Sequence, residues 1–252
     1  MQYLEFLSRV HTLVEPENYL EIGVRFGHSL ALSRCRSVGV DPAYVIRAEL
    51  SGEVHLQRTT SDEYFTRPEP LAPTQGEPFD LAFIDGMHLF EFALRDFINT
   101  EEHSRSSAVV VFDDVLPRNV AEAARRRHTG AWTGDVYPVI EVLRRYRPEL
   151  TTVLVGTQPT GLMLVLGLDP TDRTLRQEYD EIIRGHRKPD PQPVPQQLLD
   201  RVSVQPPHRV LDAGFWKVLR EQRDRPDLPD FHRRLREQLA ADLGPAYGPV
   251  SA

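Results

Sequence analysis

Tyr19-Leu20-Glu21-Ile22-Gly23-Val24-Arg25-Phe26-Gly27-His28-Ser29 runs from an apolar stretch suited to a buried strand, through an acidic residue, into a turn punctuated by two glycines. Gly23 can supply backbone angles closed to other residues, and Gly27 lets the chain pass close to the strand or to a ligand. The segment predicts a strand, a tight turn and a helix whose first N–H groups are free to meet a carboxylate or phosphate. Glu21, Gly23, Gly27, His28 and Ser29 are therefore candidate cofactor-binding residues. The spacing Glu-x-Gly-x-x-x-Gly is not the Gly-x-Gly-x-x-Gly of most dinucleotide binders. A plain strand-to-helix turn with packing glycines is the alternative.

Working outward, Ser37-Val38-Gly39-Val40 ends at Asp41, 18 residues after Gly23, where a βαβ unit places an acidic residue for ribose hydroxyls. Asp41 could instead cap the next turn. Thr59-Thr60-Ser61-Asp62 precedes an amphipathic run and reads as a helix cap. Two later strands end on carboxylates: Phe79 to Ile84 on Asp85, and Ala108 to Phe112 on Asp113 and Asp114. In a parallel sheet, ligands sit outside the carboxyl ends of the strands, so these acids converge on the crevice that holds Gly23 and Asp41. Clustered carboxylates repel one another unless a cation or shared protons neutralise them, and a hard divalent ion such as Mg²⁺ answers that need. Capping by Asp113 and Asp114, with Asp85 contacting only the cofactor, is the other possibility.

Together, Glu21-Ile22-Gly23-Val24-Arg25-Phe26-Gly27, Val40-Asp41-Pro42, Ile84-Asp85-Gly86-Met87-His88 and Phe112-Asp113-Asp114 resemble the motifs of class I S-adenosylmethionine (SAM) methyltransferases. The likeness is to the metal-dependent small-molecule O-methyltransferases of macrolide and aminocoumarin sugars and their cephalosporin-hydroxylase-like relatives. It spans about residues 15 to 168. The resemblance implies SAM as cofactor, Mg²⁺ held by Asp85, Asp113 and Asp114, and adenine flanked by the loop at Ser61 and Asp62. Those enzymes carry an Asp two residues after the first metal ligand, proposed as the general base; this chain has Met87 there and His88 next.

His88 is the natural replacement base, because a neutral imidazole accepts protons near neutral pH. It could also merely open the helix that follows, in which Glu91 and Arg95 are spaced as an i,i+4 pair. His128, in the Arg125-Arg126-Arg127-His128 loop, is the competing candidate. Gly130 and Gly134 bracket Trp132, and a glycine-bounded aromatic segment is suited to a lid over the acceptor, although packed tryptophans are commoner. The arginines read as a solvated helix face or as contacts for an anionic substrate group.

The 252 residues, 40% hydrophobic, suffice for one α/β domain with an appendage, and a net charge of −7 argues against a nucleic-acid partner and for a small-molecule acceptor. The single cysteine, Cys35, reads as a buried helix residue and makes no internal disulfide. With no leader or long apolar span, no membrane partner is expected and the location reads as cytoplasmic. The expected fold is a doubly wound, Rossmann-like α/β domain over residues 1–168. Its seven-stranded sheet is mostly parallel, closed by an antiparallel hairpin because Gln158-Pro159-Thr160 is too short for a helical crossover. The amphipathic helix from Gln2 to Val14 would lie on the sheet edge or a partner. Residues 169–252 read as a helical, proline-interrupted extension: one helix from Leu175 to Arg187, then Phe215 to Arg223 and Phe231 to Leu243, divided by Pro226 and Pro229. This extension and the N-terminal helix are candidate surfaces for a homo-oligomer. Two other functions compete with an O-methyltransferase: an NAD- or nucleotide-dependent oxidoreductase or epimerase, and a non-catalytic SAM-binding scaffold.

Overall fold

A computed structural model describes residues 1–223 and 227–248; Pro226, expected to separate two helices, lies outside them. Seven strands form one sheet: β1 (Asn18–Ile22), β2 (Arg36–Val40), β3 (Val54–Gln57), β4 (Phe79–Ile84), β5 (Ser104–Phe112), β6 (Thr151–Val155) and β7 (Leu162–Leu166). Their order is β3-β2-β1-β4-β5-β7-β6, with β7 antiparallel to both β5 and β6 and the remaining pairs parallel. This is the expected Rossmann-like arrangement, mostly parallel and closed by an antiparallel hairpin. Alternate side chains serve two cores, as the strand period of two requires. Ala82, Ile84, Val110 and Phe112 face one side, whereas Leu81, Phe83, Val109 and Val111 face the other.

The first core is covered by α3 (Phe90–Glu102), α4 (Pro138–Tyr146) and the C-terminal segment around Leu175, Ile182 and Leu198. The second is covered by α1 (Tyr3–Val14), α8 (Pro207–Leu211), α9 (Phe215–Gln222) and α10 (Leu228–Leu243). The C-terminal helices thus complete the covering that a mostly parallel sheet needs on both faces. The apolar stripe of α1, Phe6, Leu7, Val10 and Val14, is buried against the sheet face and against α8 and α9 rather than laid on the sheet edge. The run from Leu175 to Arg187 is not one helix but two: α5 (Thr174–Gln177) and α6 (Tyr179–His186). Its tyrosine is held between layers, with Tyr179 donating to the Glu91 carbonyl and accepting from Arg95. Short helices α2 (Ser61–Phe65) and α7 (Gln196–Leu199) complete the set. Among the described residues, no helix is long and apolar enough to cross a membrane.

Two expectations near β1 are corrected. No α-helix follows the glycine turn; a three-residue 3₁₀ turn, Leu30–Leu32, stands in its place. Gly23, Arg25 and Gly27 all have left-handed φ values (+94°, +49° and +77°), and three such residues in five are incompatible with a right-handed helix. Cys35 accordingly lies half-buried in the bend before β2, with its sulfur 3.3 Å from the Ser33 hydroxyl.

Candidate active site

A cavity of about 630 Å³ opens at the carboxyl ends of β1, β2, β4 and β5, the position sheet topology dictates. Its size suits a ligand of cofactor dimensions. Gly23, Asp41, Ser61, Asp62, Asp85, His88, Asp113 and Asp114 all lie in its wall. Glu21, Gly27, His28, Ser29 and His128 do not. Side-chain contacts separate the two groups.

At Gly23 a β-carbon would overlap the carbonyl oxygen of Asp85, so this glycine lets the β1 turn and the end of β4 touch. Gly27 instead packs against the Ile46 side chain, with a β-carbon there 3.1 Å from it. Glu21 points into the second core, fully buried, accepting from the Tyr19 hydroxyl at 2.7 Å and from Ser29 at 2.8 Å. Burial raises its pKa to about 8 despite the two hydrogen bonds. Ser29 is thus a partner of Glu21, and His28 is exposed, its ring edge-on to Phe26.

Asp41 caps its turn, accepting from Arg25 N–H at 2.8 Å and Ala43 N–H at 2.6 Å, yet still faces the cavity. The Ser61 loop caps a helix and also reaches the cavity. Thr60 and Glu63 form a capping box at α2, while Thr60, Ser61 and Asp62 line the cavity. Asp62 is paired with Arg95 through two hydrogen bonds of 2.7 and 2.9 Å. The i,i+4 pair of Glu91 with Arg95 is therefore absent: Glu91 meets Arg125, 34 residues away.

The carboxylates are organised around His88. Its Nε2 lies 3.1 Å from Asp85 Oδ1 and its Nδ1 2.8 Å from Asp114 Oδ2. Burial alone would lower the imidazole pKa, but the hydrogen bonds and charges of Asp114 and Asp85 prevail and raise it to about 11. His88 in this arrangement is a cation with both nitrogens engaged, not the neutral base expected from its ordinary pKa. Asp85, His88 and Asp114 each offer one ligand atom, all within 4.8 Å of one another. Asp113 is not among them; its Oδ1 accepts the Asp114 N–H at 2.8 Å. Burial, then the charges of Asp114 and Asp85, push its carboxyl well above the usual range. The group that gathers is thus two carboxylates and an imidazole rather than three carboxylates. Carboxylate oxygens suit hard cations and a deprotonated imidazole suits transition ions, so this donor set fits a divalent cation through Asp85 and Asp114, with His88 joining only on loss of its proton.

The loop beyond β5 is tied down. Trp132 lies flat on His88, ring planes 6° apart, and its indole N–H donates to the Ala124 carbonyl at 2.6 Å. Gly134 is where the loop meets His88: a β-carbon there would overlap the His88 carbonyl oxygen. The arginines form no helix face. Arg125 bridges Glu91 and Asp135, Arg126 uses its backbone N–H on Asp190, and Arg127 alone reaches the cavity wall, while His128 is exposed.

Tyr3, Phe92, Asp96, Pro159 and Thr160 also line the cavity and were not singled out from the sequence. Tyr3 falls in the apolar period of α1, and the backbone bond from its N–H to the Gln158 carbonyl, 3.1 Å, carries it over the cavity. Phe92 and Asp96 did carry a signal, being four apart on one helix and so on one face.

Residues 20–115 match the family model described as a methyltransferase domain. No curated protein matches the chain. Among solved structures, the chain is similar to an O-methyltransferase from Bacillus cereus in complex with SAH, at 18% identity and TM-score 0.48, covering 66% of this chain and 80% of that one. It is similar to TomG of Streptomyces achromogenes, an O-methyltransferase involved in tomaymycin synthesis solved with SAM, at 20% identity and TM-score 0.47 over the same shares. Cofactor-bound Rv0187 from MTB is 22% identical with TM-score 0.46, covering 66% of this chain and 79% of that one.

Proposed function

We propose that this chain is a class I, SAM-dependent methyltransferase that methylates a hydroxyl of a small molecule beside a divalent cation; the methyltransferase-domain match over residues 20–115 and the sheet order support this reading. The observation that carries this proposal is the convergence of Asp85, His88 and Asp114 in the wall of the cavity that also holds Gly23 and Asp41. SAM supplies an electrophilic methyl on a sulfonium, and a divalent ion such as Mg²⁺ lowers the pKa of a hydroxyl bound to it.

The chain's own residues do the rest. Asp85 and Asp114 would hold the ion, with His88 beside them. With their charge balanced by a bound cation, these carboxylates would no longer hold His88 protonated, and its imidazole would be free to accept the hydroxyl proton. The O–CH₃ bond then forms as the C–S bond breaks, leaving a neutral thioether. Asp41 and the Ser61 loop would fix the nucleoside, and Tyr3, Met87, Arg127, Trp132 and Pro159 would frame the acceptor. Alignment of oxygen, methyl and sulfur is the main device, since well-oriented groups gain about 7–11 kcal/mol over free encounter. The net charge of −7 favours a small acceptor over a nucleic acid, and a vicinal diol, as on a sugar or another natural-product intermediate, suits adjacent coordination positions.

Calorimetric titration with S-adenosylhomocysteine and with NAD⁺ tests the cofactor. Binding of the former and not the latter is expected; preference for NAD⁺ would overturn the proposal.

A further inference from the structure

We propose that the acceptor is an acid: a small ring compound that carries a vicinal diol and, away from it, a carboxylate that Arg127 reads. This rests on the methyl-transfer reading above and deepens it by naming the class of acceptor. The three consecutive arginines of the loop beyond β5 are used differently. Arg125 pairs with Glu91 and Asp135. Arg126 is exposed and lies outside the cavity wall. Arg127 lines the cavity and, among the described residues, meets no carboxylate. Its Nε and Nη2 donate to the carbonyls of Thr129 and Gly130, at 3.4 and 2.8 Å, and its guanidinium lies 5.9 Å from the centre of the Trp132 ring.

These contacts orient the guanidinium but leave its charge unbalanced. Nη1 has no partner among the described residues, so one edge of the fork stays open, and two parallel N–H groups on such an edge match a carboxylate. Trp132 ties this cation to the reacting centre, because the His88 ring is stacked on the same indole, 5.1 Å away. Arg127 and the cluster of Asp85, His88 and Asp114 thus share one aromatic neighbour in one cavity, a separation that a small ring compound can bridge. A neutral acceptor filling this space would take water from Arg127 and return no counter-charge, which is unfavourable; a carboxylate restores the balance. Arg25, the other arginine in the wall, stands on the nucleoside side: its N–H is on Asp41 and its guanidinium over Phe26. SAM has a carboxylate of its own, so the test separates the two sources.

Calorimetry in the presence of S-adenosylhomocysteine and Mg²⁺ decides the matter with two probes, 3,4-dihydroxybenzoate and its neutral amide 3,4-dihydroxybenzamide, each against the wild-type chain and Arg127→Gln. The wild type should bind the acid at least about tenfold more tightly than the amide, the scale of one hydrogen bond to a charged group. In Arg127→Gln that preference should vanish, while S-adenosylhomocysteine affinity stays within about twofold. A wild type that binds the amide as tightly as the acid, or that takes S-adenosylhomocysteine but neither probe, overturns the assignment of Arg127 whether or not the variant folds, and leaves the methyltransferase reading intact. The same preference in both proteins overturns it as well. Weakened S-adenosylhomocysteine binding by a variant that keeps the wild-type melting temperature gives Arg127 to the cofactor's own carboxylate and also overturns it. A wild type that does not bind S-adenosylhomocysteine overturns both readings.

Discussion

The imidazole of His88 lies flat on the indole of Trp132, ring centroids 5.1 Å apart and planes 6° from parallel. A cation resting on an aromatic face is attracted to it, so Trp132 supports the charged state that Asp85 and Asp114 impose on His88. The remaining tryptophan, Trp216, is buried among α8 to α10, where its N–H donates to the Val210 carbonyl.

Trp132 therefore reports on the cluster. Imidazolium quenches indole emission; if Mg²⁺ binds at Asp85 and Asp114 and discharges His88 as proposed, fluorescence should rise, and Trp132→Phe should abolish the response. Unchanged wild-type emission, with Mg²⁺ shown by calorimetry to bind, would disprove the coupling.

Asp114→Asn should separate the ion from the cofactor. If Asp114 is a ligand as proposed, its loss should weaken Mn²⁺ binding, followed by paramagnetic resonance, by more than the roughly tenfold that loss of an outer partner costs. S-adenosylhomocysteine affinity should stay within about twofold, because the proposed nucleoside contacts are Asp41 and the Ser61 loop rather than Asp114. Parallel loss of both would show that the two sites are not distinct.

Stability should fall as pH rises through neutrality. Glu21 has a folded pKa raised to about 8 by burial, well above that of a solvated glutamate. Such a group binds its proton more tightly in the folded state, so its contribution is fully present below the unfolded pKa and is lost as pH rises through about 8. Asp96, raised to about 7 chiefly by burial, acts in the same direction. The melting temperature should be higher at pH 5.5 than at pH 8.5, and Glu21→Gln, which keeps a partner for Tyr19 and Ser29, should flatten that slope. An unaltered slope in the variant would mean that Glu21 is ionised when buried.

Gly23→Ala should be severe. The position combines φ +94° with overlap of any β-carbon on the Asp85 carbonyl. A loss of at least about 3 kcal/mol is expected from strain and overlap together, measured by urea unfolding. Gly130→Ala makes the contrast, since nothing lies within 4 Å of a β-carbon there.

The sheet was legible because its signals are local. Apolar runs, short connections and Asp85, Asp113 and Asp114 at strand ends place the crevice without knowledge of any contact, since parallel strands bring their carboxyl ends to one edge. The hairpin followed from the short connection around Gln158-Pro159-Thr160; residues 156–161 join the two strands, too few for a helical crossover. The side-chain arrangement within the crevice was decided by partners distant in the chain. Asp62 is taken by Arg95, 33 residues on, and Tyr3 reaches the site only because its backbone bonds Gln158. His88 becomes a cation through Asp114, 26 residues beyond it, while Asp113, its neighbour in sequence, turns to hold a backbone N–H. Periodicity and turn length determine where strands end; which carboxylate pairs with which cation depends on packing, because charge and burial act across space rather than along the chain.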